Sequence, residues 1–368
     1  MVQSNSADRD EADKRYMRMA LGLALKGAGR TSPNPMVGAV LVRGRSVVAT
    51  GYHRRAGGAH AEIVALKRAG ARAKGATLYL NLEPCNHFGR TPPCADAVIR
   101  AGVKRVVVGL ADPNPVVAGR GVRKLRQAGI QVEIGLLREE CRRLNEAFCK
   151  YITRRLPFVI LKLAASLDGK IATSTGDSHW VTGEAARRHV HGLRNQVDAV
   201  LVGAGTVIAD DPQLTCRIPG GRNPLRVIVD GHLRIPTTAR LLREAGKTVV
   251  VTGPRAPLRK MRAIERCGAE VWRFPLSDGA VRFTSLLREL GKRGIVSVMI
   301  EGGAATAARA LQEKVVDKIC FFYAPKIIGG DGKSMIDALG VRKMGHSRQI
   351  NRIEVARVGK DFLITGYL

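Results

Sequence analysis

The chain has 368 residues, enough for two domains, and 45% of them are hydrophobic against 4% aromatic, so its cores are expected to be mainly aliphatic. No apolar run reaches the roughly 18 residues of a membrane span, and residues 1–15 are polar, without the basic-then-apolar order of a signal peptide. The net charge of +30 raises nucleic acid as a partner, but it is spread over both halves with no long Lys/Arg run, which fits a generally basic, solvated surface or the attraction of phosphorylated small molecules.

In chain order, residues 13–26 carry Tyr16, Met19, Ala20, Leu23 and Ala24 at helical spacing, and Pro33 and Pro35 stop that helix. Residues 37–42 and 47–52 flank a polar turn and predict a β-hairpin. A helix over 60–69, a strand over 77–82, a helix over 95–101 and a buried strand over 105–110 follow. Residues 121–128 predict a helix, 131–134 a strand and 138–151 a helix. Near Arg155 the pattern restarts with an apolar strand over 158–164. Further strands are expected over 197–202, 226–229, 248–251, 271–274, 296–300 and 318–323, and helices over 183–194, 257–266, 280–292 and 304–313. Alternating strands and helices predict α/β architecture with layered sheets, in domains of about 14–150 and 157–368. Seven cysteines are an odd number, which argues against a disulfide framework and for a reducing cytoplasm.

The most informative residues are His60-Ala61-Glu62 and, further on, Cys85 and Cys94. One imidazole and two thiolates can hold Zn²⁺ with a fourth position open for water. Glu62 is too close to His60 in sequence to be an expected ligand, and it stands where zinc deaminases keep their general acid/base. Eight residues separate the two cysteines, where the general deaminase pattern has two. His60 and Cys94 are both expected at helix starts, whose positive ends favour thiolate charge. A purely structural zinc, with His87 as fourth ligand, is the alternative that the residues leave open.

The long Cys85–Cys94 loop resembles the deaminase half of the bifunctional riboflavin-biosynthesis proteins of the RibD/RibG family. So do Ser32-Pro33-Asn34-Pro35-Met36-Val37-Gly38-Ala39, Gly51-Tyr52-His53 and Ala111-Asp112-Pro113-Asn114-Pro115. The resemblance implies a cytidine-deaminase-like three-layer domain, one Zn²⁺ on His60, Cys85 and Cys94, and substrate contacts at Asn34, His53, Arg90, Asp112 and Asn114. Asn offers a donor and an acceptor to a base edge, and Arg90 can hold a carbonyl or phosphate. The Asp112–Pro115 stretch is also good turn chemistry in its own right.

Residues 157–368 resemble the reductase half of the same family, a dihydrofolate-reductase-like α/β domain. The similar segments include Lys162 to Ala172, Gly176 to Thr182, Asp210 to Thr215, Glu301-Gly302-Gly303 and Ala324 to Gly330. Gly203-Ala204-Gly205 lacks the third glycine of a Rossmann fingerprint. Gly302 and Gly303 follow an apolar strand and open a helix, so a pyrophosphate can approach backbone N–H groups there. The resemblance implies NADPH against Ala164, Trp180, Thr206, Asp210, Gly302 and Gly303. It implies a ribose-phosphate substrate against Ser178, Thr182, Arg194, Leu214, Arg217 and Glu301. Arg194 and Arg217 are the expected phosphate clamps. Lys162, on the first strand, is either a buried cation that polarises the reacting carbon or an ordinary strand lysine. Arg255, past the strand over 248–251, is placed to meet a 2′-phosphate.

The expected function is therefore twofold. The first step is zinc-dependent hydrolytic deamination of 2,5-diamino-6-ribosylamino-4(3H)-pyrimidinone 5′-phosphate. The second is NADPH-dependent reduction of the ribosyl to a ribityl chain. The expected partners are phosphorylated pyrimidines and further copies of the chain, with neither nucleic acid nor membrane. The alternative is a tRNA or other nucleic-acid deaminase, which leaves residues 157–368 without a task.

Overall fold

The computed structural model describes residues 2–86, 93–115 and 117–368, in two compact units, Met1–Arg155 and Leu156–Leu368. The first unit runs α1 (Val2–Leu25), β1 (Gly38–Arg43), β2 (Ser46–Tyr52), α2 (Ala61–Ala69), β3 (Thr77–Leu82) and α3 (Cys94–Arg100). It continues with β4 (Arg105–Leu110), α4 (Arg120–Gln127), β5 (Gln131–Ile134), α5 (Arg138–Leu144) and α6 (Glu146–Arg154). The strands form one sheet in the order β2-β1-β3-β4-β5. β1 is antiparallel to both neighbours, and β3, β4 and β5 are mutually parallel.

β3 and β4 are nearly continuous apolar runs because both faces of the sheet are covered. On one face Leu78, Leu80, Val106 and Val108 pack with Ala61 and Ala65 of α2 and Val98 of α3. On the other, Tyr79, Leu82 and Val107 pack with Tyr16, Met17 and Ala20 of α1. Each buried leucine of this kind contributes about 1.5–3 kcal/mol. Close helix–sheet approach demands glycine at two places. A Cβ on Gly38 would lie 2.0 Å from the Ala20 carbonyl oxygen, and one on Gly51 would lie 2.3 Å from that of Ala61.

In this unit two elements differ from expectation. α1 begins well before residue 13, since no glycine or proline interrupts the polar stretch ahead of its docked part. The single helix expected over 138–151 is two, broken at Asn145 (φ −111°, ψ 23°). The Asn145 side chain accepts from the Met36 N–H at 2.8 Å and donates to the Met36 carbonyl at 2.9 Å. It thus pins the Asn34–Met36 segment, and that tertiary bond outweighs local helix continuity.

The second unit runs β6 (Phe158–Ser166), β7 (Lys170–Ala172), α7 (Glu184–Gln196), β8 (Ala199–Gly203), α8 (Ala204–Asp210), β9 (Leu225–Val229), α9 (Arg240–Arg243) and β10 (Thr248–Thr252). Next come α10 (Leu258–Arg266), β11 (Glu270–Arg273), β12 (Leu276–Ser277), β13 (Ala280–Val281), α11 (Phe283–Lys292), β14 (Ser297–Glu301) and α12 (Ala304–Gln312). It closes with β15 (Lys318–Ala324), β16 (Lys333–Ser334), β17 (Asn351–Val358) and β18 (Asp361–Tyr367). The main sheet has the order β11-β10-β9-β8-β14-β6-β15-β18-β17. It is parallel from β11 to β15, and β18 and β17 add antiparallel strands at one edge. Aliphatic layers cover it on both faces, one around Val159, Leu161, Ile300 and Leu290, the other around Val200, Ile228, Met299 and Ile264.

The helix expected over 280–292 starts only at Phe283, because Asp278 and Gly279 (φ 52° and 74°) turn β12 into β13 first. An Asp-Gly pair with positive φ at both residues is a hairpin signal. The β17–β18 hairpin has no counterpart among the sequence expectations.

Candidate active sites

β3 ends in the first unit at Leu82 and hands the chain to Glu83-Pro84-Cys85, while α2 begins just after His60 and α3 begins at Cys94. These three ends meet. His60 Nδ1 lies 3.2 Å from Cys94 Sγ and 3.6 Å from Cys85 Sγ, and the three ligand atoms all fall within 4.8 Å of one another. Tetrahedral Zn²⁺ with its usual bond lengths needs N···S separations of about 3.6 Å, so the set fits the ion. The Cys94 backbone N–H donates to Cys85 Sγ at 3.3 Å, the kind of outer bond that orients a ligand. Hydrogen bonding with Cys94, and with His60 beside it, holds the Cys85 thiol down at about 4, while Cys94, bonded to Cys85 and buried, is driven up. Two thiolates this close repel, and a dication is what lets both ionise.

Glu62 lies in the first turn of α2 and is 3% exposed. Burial pushes its carboxyl up to about 7, with His60 pulling the other way. A carboxyl near neutrality can take a proton and return it. His53 Nδ1 stands 3.1 Å from the Ala59 carbonyl and its Nε2 3.1 Å from the Asn34 side-chain nitrogen. The carbonyl only accepts, so Nδ1 carries the proton and Nε2 accepts from Asn34, which fixes that amide's orientation. Burial also draws His53 away from its cationic form.

A cavity of about 540 Å³ opens over these groups. Asn34, His53, His60, Glu62, Cys85, Asp112 and Asn114 line it, and Cys94 sits buried behind. Arg90 and His87 fall outside the described residues. Three positioning residues belong to no motif. Asn81 accepts from the Gly38 N–H at 2.8 Å and donates to the Met36 carbonyl at 2.9 Å, sharing with Asn145 the task of holding the Asn34 loop. Buried Glu83 accepts the N–H groups of Asp112, Gly119 and Val122, each at 3.0 Å, and so holds the Asp112–Asn114 turn on the cavity wall. A polar residue at the end of an apolar strand was the available signal.

In the second unit the β6–β14 register sets Lys162 directly opposite Glu301. Glu301 takes a bidentate grip from Arg194, at 2.6 Å and 2.9 Å, with Lys162 Nζ 3.7 Å away. Burial alone would raise the Glu301 carboxyl, but Arg194 and Lys162 hold it at about 2. Burial pulls the Lys162 ammonium down, with Glu301 opposing. Arg194 also donates to the Thr215 carbonyl at 3.1 Å, so its guanidinium is an inner member of an ion triad before it is a phosphate clamp. Arg217 is exposed, 3.3 Å from His191 Nε2.

Next to Glu301, Gly302 and Gly303 take φ of 84° and 73° and lead into α12. Gly303 lines a second cavity, about 710 Å³, at the carboxyl ends of β8, β9 and β14. Gly203 to Thr206 and Gly303 to Thr306 line it, with His232, Arg234 and Arg309 as its basic groups. Crevices at strand carboxyl ends, with helix N-termini facing in, suit pyrophosphate. Arg255 is not among the lining residues. Trp180 is exposed under the Arg187 guanidinium, which lies 4.5 Å from its ring centroid. Asp210, ending α8, interacts with His179, beside Ser178. The Thr182 carbonyl accepts from Arg187 at 2.8 Å. Leu214 is buried among Val200 and Ile228, so core packing takes its side chain, and Ala164 is half-buried on β6.

Residues 10–110 match the cytidine and deoxycytidylate deaminase zinc-binding region, and residues 157–364 match the RibD C-terminal domain. The riboflavin biosynthesis protein RibD of Aquifex aeolicus (strain VF5) is 47% identical over 356 residues, which covers 96% of this chain and 98% of that protein. The chain belongs to the RibD family. Escherichia coli (strain K12) RibD is 40% identical over 95% of this chain and 97% of its own length. A Thermotoga maritima structure is named as a diaminohydroxyphosphoribosylaminopyrimidine deaminase/5-amino-6-(5-phosphoribosylamino)uracil reductase. It superposes with a TM-score of 0.86 at 40% identity, over 98% of this chain and 99% of that one. RibD of Acinetobacter baumannii gives 0.87 at 38%, over 97% and 99%. The RibD architecture here is a cytidine-deaminase-like domain with its zinc-binding region, followed by a dihydrofolate-reductase-like domain. Among the described residues no helix is long and apolar enough to cross a membrane.

Proposed function

We infer that the chain is a bifunctional enzyme of riboflavin biosynthesis, a deaminase joined to a reductase. One observation carries this: 47% identity to a RibD protein extends over 96% of the chain and so takes in both candidate sites. The substrate of the first site is 2,5-diamino-6-ribosylamino-4(3H)-pyrimidinone 5′-phosphate. His60, Cys85 and Cys94 hold one Zn²⁺, whose contribution when bound is Lewis-acid activation of water. Glu62 takes the water proton and delivers protons to the ring nitrogen and the departing amine, so C–NH₂ and water become C=O and ammonia. Asn34, His53, Asp112 and Asn114, with Arg90, hold the pyrimidine and its ribose. The near-neutral carboxyl of Glu62 and its place on the same wall as His60 support this reading.

The second site takes the deaminated product and NADPH, which when bound supplies hydride to C1′. Gly302, Gly303, Thr206 and Asp210, with Ala164 and Trp180, form the cofactor side. Lys162, Glu301 and Arg194, with Ser178, Thr182 and Arg217, form the substrate side, and Leu214, its side chain in the core, can face it only with its backbone. The glycine turn fits pyrophosphate because no Cβ intervenes, and the buried Lys162–Glu301 pair can hold a proton beside the ribose carbon that gains hydride. The chain acts as a homo-oligomer in the cytoplasm. The exposed edge strand β17, with Ile353 and Val355 57% and 64% exposed, and seven free cysteines support that.

The test is purified protein with the pyrimidinone ribotide and NADPH, following ammonia and NADPH separately. Ammonia release without NADPH, then NADPH oxidation dependent on the product, is expected. Ammonia release from RNA instead would overturn the reading.

A further inference from the structure

The first unit's cavity has one wall to which no sequence motif gives a role. Phe148, Tyr151, Ile152 and Arg155 line it. Their spacing, i, i+3, i+4 and i+7, is one stripe along α6 and its capping residue, about 10 Å of helix. Exposure rises along the stripe. Phe148 is buried with Tyr16 and Met17, Tyr151 and Ile152 are half-buried, and Arg155 is exposed. The wall is therefore apolar within and cationic at its outer end.

Arg155 is the only lysine or arginine among the described lining residues. At φ 56° and ψ 28° it caps α6 in the left-handed region, donating its N–H to the Tyr151 carbonyl at 2.8 Å. Glycine is the usual residue at such a cap. Arginine occupies it here, with its side chain on the cavity wall. The guanidinium lies 5.8 Å from the Tyr151 ring centroid, so the arm runs along the cavity wall.

We propose that Arg155 binds the substrate's phosphate and makes the deaminase site selective for the phosphorylated pyrimidine nucleotide over its free 5′-hydroxyl form. The proposal rests on the reading of this cavity as a pyrimidine ribotide deaminase site. A nucleotide carries a flat base at one end and a dianion at the other. The candidate zinc ligands and Glu62 lie on the base side of the cavity, and the stripe along α6 ends at Arg155, the one permanent cation among the described lining residues.

Arg155→Gly is the decisive variant, because glycine suits that backbone position and removes only the cation. Zinc content and thermal melting establish that it is folded. Deamination is then measured with the ribotide and with its dephosphorylated riboside. KM for the ribotide should rise about 10- to 100-fold, the worth of a charge-assisted hydrogen bond, with little change for the riboside. Arg155→Lys should recover part of the loss. Ribose 5-phosphate should bind wild type competitively and Arg155→Gly much more weakly. A wild-type KM for the ribotide in Arg155→Gly, or an equal loss for ribotide and riboside, overturns the proposal. If wild type deaminates neither compound, the deaminase reading fails, and ribose 5-phosphate titration of both proteins still decides the role of Arg155.

Discussion

In the proposed reaction Cys85 holds the metal and Glu62 moves protons, and substitution separates the two tasks. Cys85 is one of three converging ligand atoms. Cys85→Ser should lose metal and deamination together, read by metal analysis beside an ammonia assay. A fully loaded site in that variant would remove Cys85 from the ligand set. Glu62 lines the cavity, and its proposed task is to move protons. Glu62→Gln keeps the shape and should retain zinc and substrate binding, with deamination reduced at least ~10²-fold. Near-normal turnover there would end the proton-shuttle role.

Helix α1 is held to the sheet by a buried ionic network. Asp13 accepts from Arg105 at 3.0 Å and 2.5 Å and from the Tyr79 hydroxyl, and Arg105 also reaches Glu133. Burial alone would raise the Asp13 carboxyl, but the bonds from Arg105 and Tyr79 prevail and lower it. A carboxyl lowered on folding adds stability that is fully present above its unfolded pKa of about 3.9 and is lost as pH falls through the folded value. Asp13→Asn should therefore cost about 1–3 kcal/mol at neutral pH. The gap to wild type should shrink below about pH 4, as measured by urea unfolding across a pH series. A gap independent of pH would mean that the contact acts through shape alone.

Each of the two units has its own sheet and its own aliphatic layers, and the two candidate sites draw on separate residues. The activities should therefore be separable. A fragment of residues 157–368 that folds, as judged by circular dichroism, is expected to oxidise NADPH when given the deaminated intermediate. A folded fragment without that activity would show that the reductase site borrows from residues 1–155.

The α/β alternation and the family resemblance were legible in the sequence, which also marked His60, Cys85, Cys94 and Glu62 as site candidates, because these depend on local periodicity and on rare residue types at short spacing. It did not reveal Asn145, Asn81 or Glu83, whose tasks are hydrogen bonds to backbone groups distant in sequence. The break between α5 and α6 and the late start of α11 are likewise tertiary, the first from the pinned Met36 and the second from an Asp-Gly hairpin. Only strand register brings Lys162 beside Glu301, and only the fold turns one face of α6 toward the zinc cavity. Chemistry that needs a particular atom is written in residue identity, whereas chemistry that needs a particular distance is decided when the sheets close.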